Sequence, residues 1–167
     1  MFKNLFKKKD VNSSNDRKVD IFSPIKGEVI TLENVPDEVF SGKMLGDGFA
    51  VKPVGNQVYS PVSGEVKVLF PTLHAVAIQT PEGLEVLVHI GVDTVELNGE
   101  GFTGHVKVGD KVKQGDLLVS FNKETIEQKA KSSITPVIIT NMDAVMEISI
   151  DYGDKEANEK AGTIKLK

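Results

Sequence analysis

The stretch from Leu84 to Leu97 reads LEVLVHIGVDTVEL, and it decides the fold. Side chains of a β-strand point alternately to its two faces. One face of this stretch is a continuous apolar row: Leu84, Val86, Val88 and Ile90. The other face carries Glu85, Leu87 and His89. The pattern predicts a strand that packs on a core with one face and presents His89 on the other.

The chain around this strand has the same β-structural character. From Lys18 onward, short valine- and isoleucine-rich runs are interrupted by Gly, Pro, Asn and Asp about every 8 to 12 residues. This spacing predicts an all-β fold, mainly an antiparallel β-sandwich or barrel-sandwich with short helices. The segments SPIKGEV (Ser23–Val29) and SPVSGEV (Ser60–Val66) repeat one another, which predicts two equivalent turns that lead into equivalent strands.

Three further segments have local signatures. NKETIEQKAKS predicts a helix capped by Asn122, and VPDEVFSGKM predicts a short helix with Pro36 in its first turn and Gly42 as its stop. The segment HVKVGDKVKQGDLLVSF (His105–Phe121) alternates around two Gly-Asp turns. It resembles the hairpin of biotinyl- and lipoyl-carrier domains, so we expect a lipoyl-like hairpin element there.

Composition excludes several classes of function. The 167 residues include no cysteine, which rules out disulfides, thiolate zinc sites and cysteine nucleophiles. The apolar runs are much shorter than the roughly 18 to 20 residues that a membrane-spanning helix needs. We also find no signal-peptide layout, so we expect a cytoplasmic protein.

The charge is unevenly distributed along the chain. The formal net charge is -4, and residues 1–18 contain six basic and two acidic side chains, so this segment carries +4 and the remainder carries -8. An acidic body argues against a nucleic-acid partner and suits a basic protein partner or simple solubility. We predict a flexible basic amphipathic tail over residues 1–18 and a single domain over residues 19–167.

The first ten residues, MFKNLFKKKD, place Phe2, Leu5 and Phe6 at helical spacing among lysines. Such a segment is able to form a peripheral contact with an anionic membrane surface. A non-essential terminus is the equally plain alternative.

The chain has three histidines, and two of them are predicted to meet. His105 is expected to be a solvated surface residue. His74 lies in FPTLHAVAIQT, where an extended strand would give it the same face as Phe70, Thr72, Val76 and Ile78. A hairpin that closes at Pro81–Gly83 brings residues on its two arms side by side. His74 and His89 are therefore expected to lie together.

A histidine pair supports more than one chemistry. Imidazole is a general acid or base near neutral pH, and neutral imidazole is also a nucleophile toward an activated phosphoryl group. A second imidazole, or the hydroxyl of Thr72, is able to donate hydrogen bonds to the phosphoryl oxygens. His89 and Asp93 also give the H-x-x-x-D spacing of lysostaphin-like metallopeptidases, but the additional H-x-H element is missing because His105 stands alone.

The glycine-rich segment GEGFTG (Gly99–Gly104) matches the dinucleotide-binding pattern G-x-G-x-x-G. That pattern works only between a strand and the N-terminus of a helix. Here HVKVGDKV follows with strand alternation, so these glycines are expected to shape a loop. We predict no cofactor.

Four segments carry a family resemblance: GDGFAVKP, PTLHAVAIQT, GLEVLVHIGVDTVELNGEGF and ITPVIITNMD. With them the chain resembles, from about Val19 to its C-terminus, the glucose-class enzyme IIA proteins of the bacterial phosphoenolpyruvate:sugar phosphotransferase system. The resemblance implies a β-sandwich and a phosphotransferase component with a phosphohistidine intermediate on His89. It also implies that His74 is the partner of His89 and that Thr72 supports His74 or the phosphate.

The resemblance implies the partners as well. The phosphocarrier protein HPr would deliver the phosphoryl group, and a cysteine on the sugar-specific IIB domain of a permease would receive it. The protein would then be cytoplasmic or associated with the permease at the membrane. No metal is needed, although zinc could bind adventitiously at His74 and His89. A relay site that serves two partners needs an exposed apolar collar with an acidic rim.

Ten residues are candidates for this docking surface. They are Asp37, Val39, Phe40, Met44, Leu45, Phe70, Val76, Leu87, Asp93 and Val95. Two alternatives stay open. A carrier or interaction domain would need a modifiable lysine at the hairpin tip, and VKVGDKV lacks the usual Met-Lys-Met-like setting. A zinc peptidase-like domain would hold bound zinc.

Overall fold

The structure is a computed structural model, and it describes residues 17–167. Fourteen strands occur in this part of the chain. They are β1 (Lys18–Phe22), β2 (Gly27–Ile30), β3 (Asp47–Pro53), β4 (Gln57–Tyr59), β5 (Gly64–Leu69), β6 (Ala75–Gln79), β7 (Glu85–His89), β8 (Phe102–Gly104), β9 (Lys111–Val112), β10 (Leu117–Phe121), β11 (Thr135–Ile139), β12 (Val145–Ile150), β13 (Gly153–Lys155) and β14 (Lys160–Leu166). Helices are few: α1 (Glu38–Ser41), α2 (Lys123–Lys129) and 3₁₀ turns at Leu32–Asn34, Thr94–Leu97 and Met142–Ala144.

The strands form three antiparallel sheets. The largest has eight strands in the order β13-β2-β3-β11-β7-β6-β5-β9, and the other two have the orders β1-β14-β12 and β4-β10-β8. All three sheets contribute to one apolar core, for example through Ile78, Leu118 and Ile164, which are fully buried. The predicted all-β, mainly antiparallel fold with short helices is confirmed.

The two repeated heptapeptides fold in the same way. The Ser23 hydroxyl donates to the Ile25 carbonyl over 2.8 Å, and the Ser60 hydroxyl donates to the Val62 carbonyl over 2.6 Å. Both serines are fully buried. Each turn leads to a glycine that begins a strand, β2 in one case and β5 in the other. The predicted pair of equivalent turns is confirmed.

The carrier-like segment differs from a simple hairpin. Its two Gly-Asp turns form as expected, because Lys107 N–H donates to Asp110 and Lys113 N–H donates to Asp116. However, β9 pairs with β5, whereas β10 pairs with β4 and β8. The two strands therefore belong to different sheets. Strand β9 has only two residues, and the second turn begins directly after it, so β9 and β10 do not pair as the two arms of a hairpin.

Both predicted helices are present. Helix α1 is capped by Asp37, whose carboxylate accepts from Val39 N–H over 2.8 Å, so Pro36 lies just before the cap instead of in the first turn. Helix α2 is capped by Asn122, whose side-chain oxygen accepts from Thr125 N–H over 3.0 Å. In α1 the buried residue is Phe40, which anchors the helix on the protein.

The N-terminal boundary of the described fold is clear. Strand β1 begins at Lys18, and the carbonyl of Arg17 accepts from Leu166 N–H over 2.9 Å. The remainder of the predicted tail, including the amphipathic residues 1–10, lies outside the described residues. Between residues 17 and 167, no helix is long and apolar enough to cross a membrane.

Candidate active site

The β6–β7 hairpin brings His74 and His89 together. Its register pairs Ala75 with His89 at one end and Gln79 with Glu85 at the other. Ile90 N–H donates to the His74 carbonyl over 2.6 Å and continues this pairing past the strand ends. The two imidazole centroids are 5.1 Å apart, with an angle of 76° between the ring planes. The expected juxtaposition of the two histidines is present.

His89 projects from β7 as the alternation predicts. Val86 and Val88 are fully buried in the core, and His89 lies on the opposite face with partial exposure. Its Nδ1 is 2.8 Å from the carbonyl oxygen of Gly91. A carbonyl oxygen only accepts hydrogen bonds, so Nδ1 carries the hydrogen and the lone pair of the neutral ring is on Nε2. Nε2 is thus the ring nitrogen of His89 that is able to accept a hydrogen bond or form a new bond.

His74 is positioned by a turn, and not by an extended strand. Strand β5 ends at Leu69 and β6 begins at Ala75, so the predicted shared face from Phe70 to Ile78 is wrong. Leu73 adopts a left-handed conformation with φ of 65°, which is rare for a residue other than glycine. This kink sets the Thr72 hydroxyl 2.7 Å from Nδ1 of His74, whose side chain is almost completely buried.

Each histidine packs against a phenylalanine. The Phe40 ring lies 4.9 Å from His89, and the Phe70 ring meets His74 edge-on at 5.0 Å. The four rings form a continuous row with the two imidazoles in the middle. Because apolar rings exclude water from the imidazoles, they favour the neutral form of each.

The surroundings lower the pKa of both histidines. Burial lowers the pKa of His74 to about 4, and the neighbouring His89 contributes in the same direction. Burial also lowers the pKa of His89, although the Gly91 carbonyl and the carboxylates of Asp37 and Asp93 oppose this effect. Both rings are therefore neutral at pH 7, which is the state in which an imidazole nitrogen can act as a nucleophile.

The candidate docking residues have different exposures. Five of them are exposed apolar side chains: Val39, Met44, Leu45, Phe70 and Val95. Asp93 is exposed, and Leu87 and Asp37 are half-buried. Phe40 is mostly buried against His89. Val76 is a wrong assignment, because it pairs with Val88 and is completely buried in the core.

Other candidate groups lie outside the histidine pair. His105 is exposed, as expected, and its Nε2 is 2.8 Å from the Ser120 hydroxyl. The GEGFTG segment leads into β8 instead of a helix, with Gly99 and Gly101 at positive φ, so its glycines shape a loop. Within residues 17–167, no group of three or more His, Cys, Asp or Glu side chains is placed to hold a metal ion.

The sequence interpretation missed one functional group, the Gly91 carbonyl. The signal was present, because a glycine just past the end of a strand often allows a backbone turn that other residues rarely make. In HIG the glycine follows His89 by two residues, and its φ of 75° turns its carbonyl back toward the ring.

An antiparallel β fold that displays two adjacent neutral imidazoles beside exposed apolar residues suits a phosphoryl-relay component. The family model described as phosphoenolpyruvate-dependent sugar phosphotransferase system, EIIA 1, matches residues 19–145. The chain belongs to this family, which confirms the resemblance found in the sequence. Its members relay phosphoryl groups within that system, so family membership favours this function over the carrier-domain and metallopeptidase alternatives.

Known relatives are similar over almost their whole length. A PTS system glucose-specific EIIA component from Oceanobacillus iheyensis is 55% identical over 148 residues, which are 89% of this chain and 88% of the relative. One from Halalkalibacterium halodurans is 46% identical over 99% of both chains. The solved structure of glucose permease IIA from Mycoplasma capricolum has a TM-score of 0.86 and 38% identity, covering 89% of this chain and 96% of the other.

Proposed function

We propose that this EIIA component carries the phosphoryl group on Nε2 of His89, taking it from phospho-HPr and passing it to the IIB domain of a sugar permease. The observation that carries the proposal is the contact between His74 and His89, with Nδ1 of each ring engaged in a hydrogen bond. Within the described residues, neither Nε2 has a hydrogen-bond partner. Both Nε2 atoms are therefore available to the phosphoryl group.

The transfer step needs no proton movement. The Nε2 lone pair of His89 attacks phosphorus and forms a new P–N bond. The P–N bond to the HPr histidine breaks, and its electron pair stays on that ring, which leaves as neutral imidazole if its other nitrogen is already protonated. His89 keeps its Nδ1 hydrogen, and the positive charge that develops on its ring is stabilised by the Gly91 carbonyl.

His74 and Thr72 stabilise the transferred group. We assign the donor role in the 2.7 Å contact between Thr72 and His74 to the Thr72 hydroxyl, so that Nδ1 of His74 accepts and the hydrogen of the neutral ring is on Nε2. That Nε2–H donates to a phosphoryl oxygen. Phosphoryl transfer has a largely dissociative transition state with charge on the equatorial oxygens, so a fixed hydrogen-bond donor lowers the barrier.

Onward transfer reverses the roles of the groups. A cysteine thiolate of IIB attacks phosphorus, the P–N bond to His89 breaks, and its electron pair returns to Nε2. HPr and IIB use the same face in turn. The exposed side chains of Val39, Met44 and Val95 provide its apolar contact area, while Asp37 and Asp93 provide negative charge that suits a basic carrier. The sugar is chosen by the permease, and the names of the two EIIA relatives support glucose.

The cellular location follows from this function. HPr and the IIB domain meet the protein in the cytoplasm, next to the permease. Contact of residues 1–10 with the membrane remains a prediction, supported by their basic amphipathic pattern. Co-sedimentation with anionic vesicles of the full chain and of a chain starting at Arg17 tests it: binding by both or by neither would contradict the prediction.

Labelled phosphoenolpyruvate tests the proposal. With enzyme I and HPr present, the wild-type chain should acquire an acid-labile, base-stable label. His89→Gln should acquire none. His105→Gln is the matched control, because His105 is exposed and outside the histidine pair, and it should label like the wild type. Labelling of His89→Gln at the wild-type rate would overturn the assignment of the acceptor.

A further inference from the structure

We propose that Thr94 and Thr135 are positioning residues that hold the Ile90–Gly91 peptide and thereby determine which nitrogen of His89 accepts the phosphoryl group. The inference rests on the proposed function, because it concerns the acceptor histidine. Neither threonine contacts the imidazole through a hydrogen bond. Their effect passes through the backbone that follows β7.

The two threonines bind opposite ends of one peptide unit. The Thr94 hydroxyl donates to the carbonyl of Ile90 over 2.6 Å. The N–H of Gly91, in the same planar unit, points to the Thr135 hydroxyl at 3.4 Å. The Thr135 hydroxyl donates its only hydrogen to the Ser133 carbonyl over 3.0 Å, so its lone pairs remain free to accept from Gly91.

The next peptide unit is held as well. Val92 N–H donates to the Ser132 carbonyl over 2.9 Å, and Val92 and Ser132 form an isolated antiparallel bridge. This unit contains the Gly91 carbonyl that accepts from His89. Because the peptide planes on both sides of Gly91 are held, its φ and ψ angles are fixed and its carbonyl is directed at Nδ1.

The packing around Gly91 is also tight. A Cβ atom added at this residue would lie 2.6 Å from Cγ2 of Thr94 and 2.7 Å from the Ser132 carbonyl oxygen. Thr94 and Thr135 are both completely buried. In Thr94 the methyl group therefore leaves no room for a side chain at residue 91, while the hydroxyl binds the Ile90 carbonyl.

Fixing this carbonyl selects the tautomer of His89. While the Gly91 carbonyl accepts from Nδ1, the neutral ring keeps its lone pair on Nε2. If the peptide is free to turn, Nδ1 loses its acceptor and the hydrogen is able to move to Nε2. That form has no nucleophilic lone pair on Nε2, so the new P–N bond cannot form there.

Nitrogen-detected NMR of the histidine rings in the unphosphorylated full chain tests the inference. In the wild type, Nδ1 of His89 should carry the hydrogen. Thr94→Val and Thr135→Val each remove one hydroxyl while keeping the size of the side chain, and each should raise the Nε2–H population about fivefold, the effect of one lost hydrogen bond. Thr94→Ser and Thr135→Ser keep the hydroxyl and should restore the wild-type tautomer.

Thr80→Val is the matched control. Thr80 is also a buried threonine, and its hydroxyl accepts from Leu84 N–H over 3.0 Å at the far end of the same hairpin. The Thr80→Val variant should have a lower free energy of unfolding than the wild type, with the same His89 tautomer. The inference is overturned if Thr94→Val and Thr135→Val keep the wild-type tautomer, or if Thr80→Val shifts it equally.

Thr135→Val serves as an independent test if Thr94→Val fails to fold, because the Thr135 contact is the longer one. The tautomer is measured without phosphorylation, so it is separate from the assignment of the acceptor. A wild-type His89 with hydrogen on Nδ1 but no label would refute the proposed function alone. If His89 is labelled but its tautomer is the same in Thr94→Val and Thr135→Val as in the wild type, only this inference is refuted.

Discussion

His74 and His89 face each other edge to face, with their ring centroids 5.1 Å apart. His89 is the last residue of β7, His74 directly precedes β6, and the His74 carbonyl accepts from the N–H of the residue that follows His89. The two rings also have different local partners, the Thr72 hydroxyl for His74 and the Gly91 carbonyl for His89. The pair is therefore asymmetric, which suits one acceptor and one hydrogen-bond donor.

Thr72 should affect the rate of transfer more than the capacity for phosphorylation. Thr72→Val removes the hydroxyl 2.7 Å from Nδ1 of His74, so His74 loses the group that keeps its hydrogen on Nε2. Rapid-mixing measurements should give phosphoryl transfer to IIB slowed by about tenfold, the effect of roughly one hydrogen bond. Thr72→Ser should restore the rate.

His74→Gln should go further in the same direction, accepting label while passing it poorly to IIB. Wild-type transfer rates in both Thr72→Val and His74→Gln would contradict the role of the Thr72–His74 pair.

Stability should decrease with acid in a way that depends on His74. Its pKa is about 4 in the folded protein and 6.5 without perturbation, so the unfolded chain binds the proton first as pH falls. This contribution is complete above pH 6.5 and is lost between about 6.5 and 4, to a limit of about 3 kcal/mol. Urea unfolding of wild type and His74→Gln at pH 7 and 4.5 measures it.

The variant should show a smaller decrease than the wild type between those two pH values. Some decrease should remain, because burial also lowers the pKa of His89. If the free energy of unfolding fell by the same amount in both proteins between pH 7 and 4.5, His74 would have a similar pKa in the folded and unfolded chains, and the prediction would be wrong.

Phe40 should keep the His89 ring neutral. Phe40→Ala removes the ring 4.9 Å from the imidazole and admits water, so the pKa of His89 should rise. An NMR titration of the imidazole resonances measures this shift directly. Because Phe40 is buried, the variant should also lose about 3 kcal/mol of stability. Phe40→Leu, which fills most of the space, should have the smaller effects; an unchanged His89 pKa in the alanine variant would refute this role.

A positive charge introduced into the exposed apolar collar should slow the association of a basic carrier protein. Val95 is 51% exposed in the 3₁₀ turn that follows Asp93, so Val95→Lys should fold normally. Its rate of phosphorylation by phospho-HPr should fall at limiting HPr concentration, with little change at saturation. Val108 is 61% exposed in the turn before β9, and Val108→Lys is the matched control. Equal rates in the two variants would exclude Val95 from the docking surface.

Much of the site could be predicted from local patterns. The alternation of β7 gave the face of His89, the PEG turn indicated its neighbour strand, and Asp37 and Asn122 occupy the helix caps that their residue types favour. These features depend on the period of a strand or on hydrogen bonds within a few residues. Such short-range features can be predicted from a single sequence.

The remaining features depend on backbone conformation or on distant partners. The left-handed Leu73 interrupts the alternation before β6, and this places Val76 in the core. The pairing of β9 with β5 is a long-range choice that its two residues do not encode. The hydrogen bond from Gly91 N–H to the Thr135 hydroxyl joins residues separated by 44 positions, and no periodic pattern in the sequence links them.

Identifying the phosphorylated nitrogen tests most directly whether His89 carries the phosphoryl group. The full chain, labelled with ¹⁵N in its histidines, is phosphorylated through enzyme I and HPr, and phosphorus–nitrogen coupling is measured by NMR. We predict one P–N bond, to Nε2 of His89. A phosphoryl group on His74, on His105 or on Nδ1 of His89 would contradict it.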